Sequence, residues 1–230
     1  MSMISDHIER VRERVERAAE RAGTAPGTVR IIAVSKTKPV SMIQEALAAG
    51  LTDLGENRVQ EAEEKYACIG DRPRWHLIGH LQTNKARHAA RIFHMIQSVD
   101  SLSLGEELDR RLKTLGKIMS VLVQVNTSGE ASKSGVEPDG AFELVERLSV
   151  LSSLSVQGLM TIPAPTPDLN KARPAFRRLR ELRDRMVQTG IGGVEMRYLS
   201  MGMTHDFETA IEEGANMIRV GTAIFGERTP

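Results

Sequence analysis

The sequence predicts an α/β fold, a (β/α)8 TIM barrel, on three observations. Eight short apolar, β-branched runs recur along the 230 residues, helical stretches separate them, and no Gly-x-Gly-x-x-Gly follows the first run. Strands alternating with helices form right-handed βαβ units and so a parallel sheet. Eight such strands close into a barrel. The absent glycine signature counts against the doubly wound open sheet, which uses the same units.

The elements follow in order. Ile4, Ile8, Val11, Val15, Ala18 and Ala22 recur at steps of three and four, one apolar face of a helix, with Ser5 as its expected N-cap and Gly23 as its stop. This helix is expected to cover the barrel flank where a final helix would otherwise pack. Strands are expected near 29–35, 51–54, 74–78, 94–98, 118–125, 154–158, 195–199 and 216–220. Helices are expected near 40–49, 57–68, 83–91, 101–115, 139–151, 168–188 and 204–213. The stretch Pro163-Ala164-Pro165-Thr166-Pro167 is short and lies between a strand and a helix. It reads as a βα loop inside a single domain of residues 1–230, not as a linker.

Bulk properties narrow the function. With 31 basic and 30 acidic residues the net charge is +1, which gives no polyanion-binding field and argues against a nucleic-acid partner. Aromatic content of 3% argues against base-stacking platforms. The one cysteine, Cys68, forms no internal disulfide and is expected to be a half-buried packing residue. No apolar run approaches the ~20 residues that span a bilayer, and charge alternates through Ile8-Glu9-Arg10-Val11-Arg12-Glu13-Arg14. The expectation is a cytoplasmic protein without a membrane or signal segment.

The chemistry centres on Lys36. The apolar run Val29 to Ser35 delivers its amine to the end of a buried strand. Desolvation disfavours an ammonium, so an amine in such a place gains the character of a carbonyl nucleophile. In barrels the active face carries the strand C-termini, and the loops after strands seven and eight often hold a phosphate. Those loops are Leu199-Ser200-Met201-Gly202-Met203 and Arg219-Val220-Gly221-Thr222-Ala223-Ile224-Phe225-Gly226. Gly202 and Gly221 allow a phosphate close to backbone N–H groups, while Ser200 and Thr222 add hydroxyl donors. The plainer reading gives the glycines to tight turns, with Thr204, Asp206 and Glu208 capping the next helix. An amine for an aldehyde beside a phosphate cradle suits pyridoxal 5′-phosphate (PLP) held as a Schiff base. Arg219 would then face the pyridine nitrogen. An arginine does not give up its proton, so the cofactor would be a weak electron sink.

The segments Ala33-Val34-Ser35-Lys36-Thr37-Lys38-Pro39, Gly55-Glu56-Asn57-Arg58-Val59-Gln60-Glu61 and Trp75-His76-Leu77-Ile78-Gly79-His80-Leu81-Gln82-Thr83-Asn84-Lys85 closely resemble the pyridoxal phosphate homeostasis proteins of the YggS/PROSC type. So do Gln124-Val125-Asn126-Thr127, Gly158-Leu159-Met160-Thr161 and the two phosphate loops. That family's fold is similar to the N-terminal barrel of alanine racemase. The resemblance implies that Lys36 carries PLP covalently, that Ser200, Gly202, Gly221 and Thr222 hold its phosphate, and that Arg219 lies near the ring nitrogen. It further implies that Asn57 and His80 border the ring.

Other residues have plainer readings. His76 and His80 are spaced for a metal on a helix but fall in a strand and loop with no third ligand, so no metal site is expected. Lys85, Arg87, His88 and Arg91 read as a solvated helix face, or as a contact for an acidic partner. Lys38 is either a satellite charge beside Lys36 or a solvated loop residue. Met201 and Met203 flank the phosphate loop and are candidates to touch the cofactor.

Three functions compete. A PLP-dependent amino-acid racemase needs acid/base groups on both faces of the cofactor. Lys36 supplies one; in the related racemases the other is a tyrosine from an additional domain of a partner subunit. Here Tyr66 falls in a helix, Tyr198 in a strand, and the chain ends just after Phe225-Gly226-Glu227-Arg228. A class I aldolase would use the same lysine and phosphate site on a carbonyl substrate and would be colourless. The favoured expectation is a non-enzymatic PLP carrier, covalent at Lys36, that buffers or delivers the cofactor, with apo PLP-dependent enzymes as possible recipients. Racemase activity is the alternative, at most a weak side activity. A monomer is expected, because the racemases' dimerising domain is absent.

Overall fold

Eight parallel strands close on themselves in chain order in the computed structural model, which describes residues 2–25, 27–130, 134–164, 166 and 168–227. The strands are β1 (Arg30–Val34), β2 (Asp53–Glu56), β3 (Arg74–Leu77), β4 (Met95–Val99), β5 (Met119–Gln124), β6 (Leu154–Met160), β7 (Tyr198–Ser200) and β8 (Met217–Val220). β8 returns to β1 in register from Arg30 opposite Met217 to Ala33 opposite Val220, which closes the barrel. The helices are α1 (Met3–Arg21), α2 (Val40–Ala48), α3 (Val59–Ile69), α4 (Ala86–Ile92), α5 (Leu102–Leu115), α6 (Ala141–Ser149), α7 (Leu169–Thr189), α8 (Phe207–Glu212) and α9 (Thr222–Phe225). No helix among the described residues is long and apolar enough to cross a membrane. Pro165 and Pro167 of the expected βα loop lie outside the described residues, as does Arg228.

α1 buries Ile4, Ile8, Val11, Val15 and Ala18 and packs against α2, α8 and α9, on the flank where a final helix would sit. Its N-cap is Ser2, not Ser5: the Ser2 side chain accepts the Ser5 N–H at 3.2 Å. Ile4 belongs to the apolar stripe, so the helix must begin before it. His7 Nδ1–H donates to the Ile224 carbonyl at 3.0 Å and ties α1 to α9. β7 starts three residues later than the sequence suggests. Exposed Glu195 and Arg197 pair with each other at 2.7 Å in a turn, and the ladder begins only where Tyr198 meets Gly158. Cys68 is exposed, not half-buried, because α3 buries a stripe of Val59, Ala62, Lys65 and Ile69 that does not include it.

The main core fills the space between sheet and helices, with Trp75, Phe176 and Phe207 fully buried. A second cluster of Ile32, Met95, Leu122, Met160 and Met217 plugs the barrel interior. Polar residues lie in the lumen as well. Ser200 Oγ donates to Gln97 Oε1 at 2.6 Å, and β4 and β7 are not neighbours in the barrel. That hydrogen bond therefore crosses the lumen.

Candidate functional site

A cavity of about 540 Å³ opens at the C-terminal ends of the strands, within the size range of small-molecule sites. Lys36, Asn57, His80, Arg219, Gly221 and Thr222 all line it. Strand β8 and the loops after β1, β2, β3 and β8 thus bring together six of the eight residues singled out from the sequence.

Lys36 is half-buried at the mouth of β1. The next residue, Thr37, has φ of 63°. A β-branched residue in the left-handed region is a true outlier, worth of order 1–3 kcal/mol of strain. Its surroundings hold it there: the Thr37 N–H donates to Glu61 Oε1, and the Lys38 N–H donates to Ser35 O at 3.0 Å. Beneath this turn lies buried Lys65, whose Nζ donates to Ser35 O, Glu56 Oε1 and Glu61 Oε1, each at 2.7 Å. The Ser35 hydroxyl also donates to Glu56 Oε1, at 2.6 Å. Burial pushes the Glu56 carboxyl above its usual range, against the opposing pull of Lys65 and Ser35. Burial pulls Glu61 the same way, but its bonds from Lys65 and Thr37 prevail and hold it low.

The Lys38 ammonium is held by backbone carbonyls. Its Nζ donates to the carbonyls of Phe225, Gly226 and Glu227 at 3.2, 2.9 and 2.7 Å. A cation on the free carbonyls at the end of a helix is a C-terminal cap, and here it fastens α9 to the β1 loop.

Arg219 is 3% exposed. Its NH1 donates to Ser200 Oγ at 2.6 Å and its NH2 to Thr161 O at 2.7 Å. Burial pulls the guanidinium down to about 10, with the Asp206 carboxylate opposing, so it stays a cation at neutral pH. Asp206 caps nothing on α8 with its side chain but accepts the Met203 N–H at 2.6 Å, which shapes the loop after β7.

Ser200 and Gly202 do not line the cavity. Ser200 is the last residue of β7 and its side chain turns into the lumen, fully buried. Gly202 has φ of 90°, and a Cβ there would sit 2.6 Å from that of Ala210. Its role is to let the loop turn while α8 packs closely. Met203 lines the cavity and Met201 is core. Gln124, Ser134, Ile162, Pro163 and His205, to which the sequence assigns no site role, and Thr204, expected as a helix cap, also line the cavity. Their positions at or beyond the C-terminal ends of strands were the available signal.

Asn57 lies before the start of α3, and Gly79 presses against it: a Cβ at Gly79 would sit 2.4 Å from Asn57 O. His80 is half-exposed, with Nδ1 3.4 Å from Asp100 Oδ2. Gly79→Ala is expected to lower unfolding free energy by about 1–3 kcal/mol, measured by urea denaturation, because the backbone at Asn57 cannot yield as a side chain would.

The chain matches the family model for the alanine racemase N-terminal domain over residues 7–229. It is 43% identical over 224 residues to a pyridoxal phosphate homeostasis protein of Aquifex aeolicus, covering 97% of each chain. With that of Pseudomonas aeruginosa it shares 45% over 229 residues, 99% of this chain and 97% of the other. Among solved structures, PipY of Synechococcus elongatus with PLP bound superposes with a TM-score of 0.81 at 39% identity, covering 93% of this chain and 100% of that one. An alanine racemase of Clostridium difficile, at 14% identity and a TM-score of 0.70, shares the barrel; 95% of this chain matches 57% of that one. By sequence over nearly its whole length and by fold, the chain belongs to the pyridoxal phosphate homeostasis family.

Proposed function

We propose that this protein binds PLP in the barrel-mouth cavity, linked covalently to Lys36, and buffers or delivers the cofactor without turning over a substrate. The observation that carries this reading is the meeting of a strand-end lysine, a buried cation, the Gly221–Thr222 loop and the Thr204 hydroxyl in one cavity. The chemistry of this donor set fits the cofactor. Lys36 supplies an amine, Arg219 a fixed donor for a ring nitrogen, and Gly221 and Thr222 room and a hydroxyl for a phosphate. When bound, PLP supplies an aldehyde that condenses with an amine and releases water. The PLP-bound relative at 39% identity supports the same cofactor.

Neither tyrosine lines the cavity. Tyr66 donates from α3 to Asp71 at 2.7 Å, and the Tyr198 ring lies beneath the guanidinium of Arg30 at 5.3 Å. Neither is placed to serve as the second acid/base group of a racemase, which favours a carrier. We further propose that the carrier works as a cytoplasmic monomer and that its recipients are apo PLP-dependent enzymes.

The test is the visible spectrum of the purified protein before and after borohydride, with a peptide map of the reduced sample. A yellow protein that bleaches and gains a pyridoxyl phosphate adduct at Lys36 supports the reading; a colourless protein that forms no adduct with added PLP sinks it and favours an aldolase. Solvent deuterium entering alanine at an enzymatic rate would instead indicate a racemase. Thr222→Ala is expected to weaken PLP about tenfold, the loss of one hydrogen bond to a charged group, and to leave binding of phosphate-free pyridoxal unchanged.

A further inference from the structure

We propose that Asp53, His76, Gln97 and Ser200 form a one-way hydrogen-bonded relay through the barrel lumen that positions Arg219, so that Ser200 acts on the ring-nitrogen end of the cofactor and not on its phosphate. The proposal rests on the PLP reading of the cavity.

With Arg219 at its end, the relay runs across five strands. His76 Nε2 lies 2.9 Å from Asp53 Oδ1, and His76 Nδ1 lies 3.1 Å from Gln97 Nε2. Gln97 Oε1 accepts from Ser200 Oγ at 2.6 Å, and Ser200 Oγ accepts from Arg219 NH1 at 2.6 Å. All five residues are 3% exposed or less. An ionised carboxylate only accepts hydrogen bonds, so His76 must carry its proton on Nε2. Burial holds this imidazole below its usual range and hence neutral, while Asp53 is held low and charged, its bonds from His76 and Thr52 outweighing its own burial. His76 Nδ1 is then a lone pair, and only the Gln97 amide N–H can meet it. The same amide nitrogen approaches Met217 Sδ at 3.1 Å, which uses its second hydrogen. Gln97 Oε1 must therefore be the end facing Ser200, and it takes the single hydroxyl proton.

Ser200 is thus left with lone pairs only, and one of them meets the guanidinium. A hydroxyl whose proton is committed to Gln97 has nothing to donate to a phosphate. Every donor in the chain points from the Arg219 cation toward the Asp53 anion, an order in which each bond polarises the next. Together with the Thr161 carbonyl on NH2, the relay fixes the plane of a guanidinium that lines the cavity. This makes Ser200 and Gln97 positioning residues, acting through Arg219.

The test measures dissociation constants of the full-length protein for PLP and for 1-deaza-PLP, in which a C–H replaces the ring nitrogen, with circular dichroism to confirm folding. Ser200→Ala is expected to weaken PLP about tenfold, the value of one hydrogen bond to a charged group, and 1-deaza-PLP less than about twofold. Gln97→Leu is expected to show the same selective loss. Equal loss for both ligands in these variants, or no loss in either, overturns the relay. So does weaker competition by inorganic phosphate in Ser200→Ala, which would return Ser200 to the phosphate. Wild-type protein that binds neither ligand would overturn the PLP reading itself, a different outcome from equal losses in protein that binds both.

Discussion

Lys36→Ala should take the protein from one borohydride-stable pyridoxyl phosphate adduct per chain to none, with its fold retained. The amine sits half-buried where β1 runs out and lines the cavity, and a carbonyl adduct needs a nucleophile at that position. Two other lysines lie close enough to serve as controls. Lys38 is committed to three carbonyls at the end of α9, so Lys38→Ala should keep the adduct. Lys65 is buried beneath the turn with its ammonium on three acceptors and should never be labelled in wild-type protein. Intact mass before and after reduction, followed by a peptide map, reads all three. An adduct that persists in Lys36→Ala, or one mapped to Lys38, would remove Lys36 from the chemistry.

The cavity positions of Lys36 and Arg219 are legible in the sequence because both depend on coarse facts: which residues end a strand, and which face of a barrel bears strand C-termini. Ser200 depends on a finer one. Reading the seventh strand as 195–199 leaves Ser200 in a loop, free to face a ligand. The strand actually runs Tyr198–Ser200, and alternation along it turns the hydroxyl into the lumen. A shift of strand ends by a few residues thus moves a side chain from the cavity to the interior. Gln97 carries no sequence signal and His76 reads only as a discounted metal candidate, since a polar residue on a parallel strand declares itself only when a partner from across the barrel is known. At Gly202 the structure shows one constraint, the close approach of α8 to a backbone at positive φ. Nothing in the sequence marks Lys65, because a lysine inside the expected helix 57–68 shows itself as buried only once its partners Ser35, Glu56 and Glu61 are known.

Lys65→Met should lower unfolding free energy by about 3–5 kcal/mol, the usual cost of breaking a buried ion pair from one side. The Lys65 side chain is 7% exposed and Glu56 fully buried. The Glu56 Oε2 atom has no hydrogen-bonding partner among the described residues, and removing Lys65 takes away the one cation that pairs with this carboxylate among them. Glu56 already titrates above its usual range because of burial, and without Lys65 it should move further up. A carboxyl raised in the folded state stabilises the fold only while protonated, so that contribution is present below the unfolded-state value and is lost as pH rises through the folded-state one. The deficit of Lys65→Met should therefore be smallest near pH 5 and grow toward pH 8 in guanidinium denaturation. Lys65→Met combined with Glu56→Leu should recover most of it, since an apolar pair of similar volume leaves no buried charge behind. The same change releases Ser35 O and Glu61 from Lys65, and with them the strained Thr37 turn beside Lys36. Adduct formation at Lys36 should fall in the single variant even toward the acid end of this range, where the deficit is smallest. A single variant within about 1 kcal/mol of wild type across this pH range, still forming the adduct at the wild-type rate, would show that the buried cluster neither supports the fold nor holds the lysine in place.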